Sequence, residues 1–139
     1  MNRLFEKKDV IVLEDLQDIE PALMVVFLAT ILYAKENNLV VRVTSVKSDR
    51  KNVNSVSNTH ETGRAIDVGC RSSDGWNSLH TNRLCFVLNK SYGSDLGAYS
   101  LKDNIPRVAV HHDSGNGNHV HLQVRPGVSL GKYVSITRS

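Results

Sequence analysis

Histidine and aspartate are the residues of this chain whose spacing could do chemistry. Six histidines stand at His60, His80, His111, His112, His119 and His121. Two short segments are the most telling, His60-Glu61-Thr62-Gly63-Arg64-Ala65-Ile66-Asp67 and His119-Val120-His121-Leu122. If the second is a strand, His119 and His121 project from one face, roughly 7 Å apart, and Val120 and Leu122 from the other. Two imidazoles side by side make a poor core but a good place for a metal. In the first segment Ile66 and Val68 face the core, and Ala65 and Asp67 share the opposite face. Gly63 and Ala65 are small and leave room for a metal and a substrate near the backbone. His60 lies just before this strand, on a loop able to fold back over Asp67. Imidazole and carboxylate are zinc donors, and catalytic zinc has three protein ligands with a fourth position open to water. Taken singly, each segment is commonly a solvated strand end. Two such segments in one sheet are a candidate metal site.

The elements that must position these residues follow from pattern and punctuation. Val10–Leu13 reads as a short strand. Asp15 or Asp18 can cap a helix that takes Pro21 early and stops at Asn37-Asn38. Its apolar residues (Leu23, Met24, Val25, Val26, Phe27, Leu28, Ile31 and Leu32) cover most of the cylinder, so it is expected inside the domain, against a sheet. Leu39–Val46 alternates and is rich in Val, as a strand is. Lys47–Thr59 is a long polar loop, of a length usually associated with function. Arg64–Gly69 is a short strand. A second helix is expected from Asp74 to about Ser91-Tyr92-Gly93, with Trp76, Leu79, Leu84, Phe86, Val87 and Leu88 as its apolar positions. Val108–His112 and His119–Val124 are strands joined by Asp113-Ser114-Gly115-Asn116-Gly117-Asn118, a strong turn signal. The expected class is α+β, a small mostly antiparallel sheet with two main helices packed on it, in one domain over residues 1–139.

Composition narrows the partners. A hydrophobic fraction of 40% and a charged fraction of 22% are globular values. The net charge of +3 and pI of about 9.0 suit an anionic partner such as a bacterial wall. No run of Lys and Arg exceeds two residues, so no nucleic-acid partner is expected. Cys70 and Cys85 form no C-x-x-C pair and read as reduced, buried thiols. Arg3, Lys7 and Lys8 are not followed by the apolar core of a signal peptide. The apolar run Pro21–Ala34, flanked by Asp18, Glu20, Lys35 and Glu36, is shorter than the roughly 20 residues a bilayer needs, so no membrane span is expected.

On these residues the chain resembles the LAS-type zinc peptidase superfamily. That group includes D-Ala-D-Ala carboxypeptidases, phage L-alanyl-D-glutamate endopeptidases, lysostaphin-type enzymes and the hedgehog signalling domain. Its H-x-x-G-x-A-x-D pattern matches His60, Gly63, Ala65 and Asp67, and its H-x-H pattern matches His119 and His121. The resemblance runs over about residues 14–125, with Leu16–Val46 similar to the family's long helix and the strand that leads to its substrate loop. It implies a hedgehog/DD-peptidase-like fold, zinc held by His60, Asp67 and His121, and His119 as the catalytic histidine. His119 would accept a proton or stabilise the oxyanion, and Asp113, His111 or His112 would orient it through its other ring nitrogen. Arg50 sits where these peptidases often bind a substrate carboxylate. Two positions depart from the family. Asn58 stands where Ser is common, and Asn118 where carboxypeptidase-like members carry an acidic base. The implied function is zinc-dependent cleavage of a peptidoglycan stem-peptide bond, by an endopeptidase or a carboxypeptidase. A phage or prophage lysin is the implied setting, either in the host cytoplasm with holin-assisted release or associated with the virion. The alternative is a non-catalytic, hedgehog-like zinc module, which the amide at Asn118 would suit.

Overall fold

Pro21 opens a glycine-free apolar run that folds as a 16-residue helix, α1 (Pro21–Glu36), in the computed structural model of the chain. The structure describes residues 5–7, 20–46, 65–114 and 117–127. Pro21 takes the first helical position, where its missing N–H costs nothing. The residue ahead of the helix is Glu20, which makes no side-chain cap; the expected caps Asp15 and Asp18, and the expected strand Val10–Leu13, lie outside the described residues. The Asn37 N–H closes the last turn on the carbonyls of Tyr33 and Ala34. Asn38 then turns the chain at φ +56°, a left-handed conformation that Asn tolerates better than most residues.

α1 buries Leu23, Val26, Phe27, Thr30 and Ala34. The Thr30 hydroxyl is satisfied by donating to the Val26 carbonyl at 3.0 Å. Leu28 and Leu32 are 51% and 61% exposed, so the helix is not enclosed on all sides as its composition suggested.

β1 (Phe5–Lys7), β2 (Val41–Val46), β3 (Ala65–Gly69), β6 (Ala109–Ser114) and β7 (Gly117–Gln123) form one sheet in the order β1-β2-β3-β7-β6. β1 runs parallel to β2 and every other pairing is antiparallel. β4 (Ala98–Tyr99) and β5 (Pro106–Arg107) make a small separate hairpin. The expected α+β class, with two main helices on a mostly antiparallel sheet, is the architecture observed. β1 was not foreseen, because three residues are too few to carry a pattern. The β6–β7 strands reach further into the hairpin than expected, since Ser114 pairs with Gly117.

The second helix begins later than the sequence suggested. Asp74 ends a short 3-10 turn (Ser72–Asp74), and α2 runs over Ser78–Leu88. Asn77 is its cap, its side chain accepting from the His80 N–H at 2.9 Å. The chain continues through a wide turn (Asn89–Gly93) into α3 (Ser94–Leu96). Of the apolar positions expected in this helix, Leu84 and Leu88 are buried, and Leu79, Phe86 and Val87 face outward. Trp76 precedes the helix and is buried by a different route, its indole N–H donating to the Val40 carbonyl at 2.8 Å.

α1 and α2 pack on one face of the sheet. There Val41, Val43, Ile66, Val68, Ala109, Val120 and Leu122 meet Leu23, Val26, Phe27, Leu84 and Leu88 in a single core. β2 does not keep the alternation expected of Leu39–Val46. A bulge at Thr44-Ser45 shifts the register, so that Val43 pairs with Val68 and Val46 with Ile66 while both valines stay buried. Among the described residues no helix is long and apolar enough to cross a membrane.

Asp74 ties the segment between β3 and α2 to β2. Its carboxylate accepts from Arg42 Nε at 2.9 Å and from the terminal guanidinium nitrogen at 3.0 Å, and it is 8% exposed. Removing Arg42 would leave a buried carboxylate without this fork. Arg42→Ala is expected to destabilise the fold by about 2–3 kcal/mol, with Arg42→Lys recovering only part of that loss because an ammonium cannot make the two parallel bonds. Denaturant unfolding checks this; a midpoint unchanged in Arg42→Ala would show that the pair contributes nothing.

Candidate metal and catalytic site

The face of the sheet away from the helices carries the histidines. Antiparallel pairing sets Asp67 opposite His121 and Gly69 opposite His119 on β3 and β7, and His112 opposite His119 on β6 and β7. Cross-strand partners share a face, so Asp67, His112, His119 and His121 gather on one surface. Val68, Val120 and Leu122, fully buried on the other side, fix that choice. Nδ1 of His121 lies 2.8 Å from Oδ1 of Asp67, and the two side chains are only 13% and 17% exposed. His112 stacks on His119, with ring centroids 5.3 Å apart and planes at 25°, and meets His121 edge-on at 6.0 Å.

The Asp67–His121 pair can be tested as part of a zinc site. Two donors bound to one tetrahedral zinc at about 2.0–2.1 Å stand about 3.3 Å apart. The observed 2.8 Å is a hydrogen bond, with Nδ1–H donating to the carboxylate, and lies about half an ångström short of that spacing. A small rotation of either side chain supplies the difference, so these two atoms fit a shared cation. Among the described residues no group of three or more His, Cys, Asp or Glu side chains is assembled to hold a metal. Of the ligands that the resemblance implied, His60 lies outside the described residues, as does the carboxylate-binding candidate Arg50.

The other expected participants separate. His112 is the histidine beside His119. Partial desolvation, and after it repulsion from the His121 and His119 rings, lowers its pKa below the ordinary imidazole value of 6.5, against the pull of Asp67. His111 pairs with Val120, across β6 from His112, yet together with Asn118, whose Oδ1 its Nε2 meets at 2.9 Å, it borders the same open space as Asp67 and His119. Asp113 pairs with Asn118 and is exposed. Strand alternation turns odd and even positions of β6 to different sides, which sets Asp113 across the strand from His112. His80 is half-buried in α2.

Beside the histidines lies a cleft of about 910 Å³ that the sequence did not announce. It extends from Asp67 and His119 past Gly69, over the end of β3, to Arg71, Ser72 and the start of α2 at Asn77 and Ser78. Thr44 and Ser45 line it because the β2 bulge sets two residues against Asp67. The Thr44 hydroxyl reaches the Asp67 carbonyl at 3.4 Å. A Cβ on Gly69 would stand 3.2 Å from the Thr44 methyl, so glycine keeps this floor low. Small and polar residues give little signal in sequence, and only the end of β3 beside α2 gathers them.

Cys70 also lines the cleft, but as an inert thiol. It donates to the Val68 carbonyl at 3.7 Å, and both cysteines are free. Burial pushes its pKa up from 9.0 to about 12, outweighing a hydrogen bond with Thr81, and pushes Cys85 up to about 11.

Two expected outcomes follow from this geometry. The purified chain should bind about one zinc, and Asp67→Ala and His121→Ala should each lower its occupancy in elemental analysis; full occupancy in both would remove these residues from the site. The thiols should be alkylated far more slowly in the native protein than in denaturant, because the thiolate is the nucleophile. Their raised pKa values favour the folded state up to the unfolded value of 9.0, and that contribution should be lost as pH rises from 9.0 through about 12. Cys70→Ala should therefore flatten the alkaline fall in stability; an unaltered slope would show that the thiol is not held protonated by the fold.

Comparison with family profiles, with curated proteins and with solved structures finds no match to this chain.

Proposed function

We propose that this chain is a zinc-dependent peptidase of the LAS type, with a hedgehog/DD-peptidase-like fold, that cleaves a stem-peptide bond of peptidoglycan. The observation that carries the reading is the 2.8 Å approach of Asp67 Oδ1 to His121 Nδ1, with His119 on the same face at the head of an open cleft. Asp67 and His121 would hold the metal together with His60, the last assigned from its motif alone. Zinc, when bound, supplies a Lewis acid that polarises the scissile carbonyl and acidifies water toward neutrality. His119 takes the proton of the attacking water and returns it to the leaving amine. His112, stacked on His119, limits the orientations of that ring. The floor at Gly69 and the bulge at Thr44-Ser45 let an extended peptide lie across the strand ends. A phage or prophage lysin, reaching the wall by holin-assisted release or with the virion, is the setting that this substrate suggests.

Asn118 favours a second reading. Where an acidic base stands in carboxypeptidase-like relatives, this chain has an amide turned toward His111. A zinc-holding, hedgehog-like module without hydrolysis fits that arrangement. The two readings separate on one experiment, the release of peptides from purified peptidoglycan, identified by mass. Under the peptidase reading, wild type releases stem-peptide fragments, and His119→Ala keeps its zinc while losing activity by about a hundredfold or more. Zinc-loaded wild type that releases nothing would leave the non-catalytic module. Loss of zinc together with activity in His119→Ala would make His119 a ligand.

A further inference from the structure

The two main helices carry an apolar surface on the side away from the sheet. Leu28 and Leu32 stand two residues before and after buried Thr30, about 200° round a helix of 3.6 residues per turn. Phe86 stands in the same way between buried Leu84 and Leu88. Both helices pack on one face of the sheet, so these side chains point outward from one layer. Phe86 is 65% exposed, and Leu79, two turns before it on the same side of α2, is 60% exposed. The helices are joined by the Tyr33 hydroxyl, which donates to the His80 carbonyl at 3.1 Å. The outward side of a surface helix is ordinarily polar. A group of large apolar side chains there marks a surface that meets a partner.

Charge selects the kind of partner. Ser78–Gly93, which holds α2 and the turn after it, contains Arg83 and Lys90 and no Asp or Glu. Leu79, Arg83 and Phe86 follow one another at helical spacing along one side of α2. Lys90, just past the helix, continues that line with its ammonium 5.7 Å from the centroid of the Phe86 ring. Apolar and cationic side chains therefore alternate along one stripe. A second copy laid face to face on α2 would set these cations against their own kind. An anionic bilayer does the opposite. Its phosphates receive Arg83 and Lys90 at headgroup level, and its acyl chains receive Leu79 and Phe86 just below. Long cationic side chains keep their heads among the headgroups while their stems lie along apolar neighbours.

We propose that the outer face of α1 and α2 is a docking surface for an anionic lipid bilayer. Leu28 and Leu32 of α1 extend the apolar part, and the cations of α2 supply the attraction. Neither helix is long and apolar enough to span a membrane, so the chain lies on the lipid by this face. The other face of the sheet carries Asp67 and His121, so a docked chain turns that pair away from the bilayer. Docking of this kind needs no hydrolysis and is independent of the peptidase reading.

Flotation of the full chain with unilamellar vesicles tests this. One set is equal parts phosphatidylglycerol and phosphatidylcholine, and the other is phosphatidylcholine alone. The chain should float with the anionic vesicles, less so as salt rises, and stay behind with the neutral ones. Leu79→Ser combined with Phe86→Ser should weaken binding by about tenfold or more. Arg83→Gln combined with Lys90→Gln should also weaken it by about tenfold or more, and remove most of the salt dependence. These side chains are exposed, so both variants should keep the wild-type unfolding midpoint. Lys102→Gln, on the exposed hairpin between β4 and β5, should change little. A loss there as large as that from Lys90→Gln alone would reduce the effect to net charge and overturn the assignment. So would an absence of flotation with the anionic vesicles, or flotation indifferent to the serine pair. A chain that ignores the vesicles but dimerises in a Phe86-dependent way, or binds an acidic amphipathic helical peptide of Leu and Glu, would give this face to a protein partner instead.

Discussion

The register of β3 on β7 is the constraint on which the rest of the candidate site depends. Ile66 pairs with Leu122 and Val68 with Val120, all four fully buried against the helices. That pairing leaves Asp67 against His121 and Gly69 against His119 on the other face. A slip of one residue would carry every polar group of β3 into the core and every apolar one out. The hydrophobic effect, acting on residues that do no chemistry, therefore sets the 2.8 Å approach of carboxylate and imidazole. β6 extends the arrangement by the same rule, adding His112 opposite His119.

A second set of contacts shapes what this face can receive. Arg42 holds Asp74 from β2, and Trp76 hydrogen-bonds the Val40 carbonyl from the same segment. Together they fold residues 70–77 back against the sheet edge and bring the start of α2 beside the end of β3. The cleft is the space left between them. The bulge at Thr44-Ser45 completes the wall without disturbing the core, since Val43 and Val46 remain buried on either side of it.

The histidine cluster and the thiols differ in how deeply they are buried. Cys70 and Cys85 are held protonated by burial, so they compete poorly for a cation. His112, on the polar side, has its pKa lowered by desolvation first and then by the neighbouring His121 and His119 rings. Carboxylate and imidazole are groups a borderline-soft cation such as zinc accepts.

The alternation His119-Val120-His121-Leu122 determined on its own that two imidazoles share a face, because a strand has a period of two. Val68 and Asp67 did the same for β3, and Pro21 with Asn37-Asn38 bounded α1 by local stereochemistry. The α+β class followed from the order of such segments. Tertiary structure decided the rest. Asp74 looked like a helix start, but a buried ion pair with Arg42, 32 residues away, claims it, and Asn77 caps the helix instead. β2 looked like a plain alternating strand, yet pairing with β3 inserts a bulge no local pattern predicts. His111, His112 and Asp113 looked equal as neighbours of His119 until the β6–β7 register set His112 directly opposite it. Local periodicity fixes which way a side chain points; long-range pairing fixes what it meets.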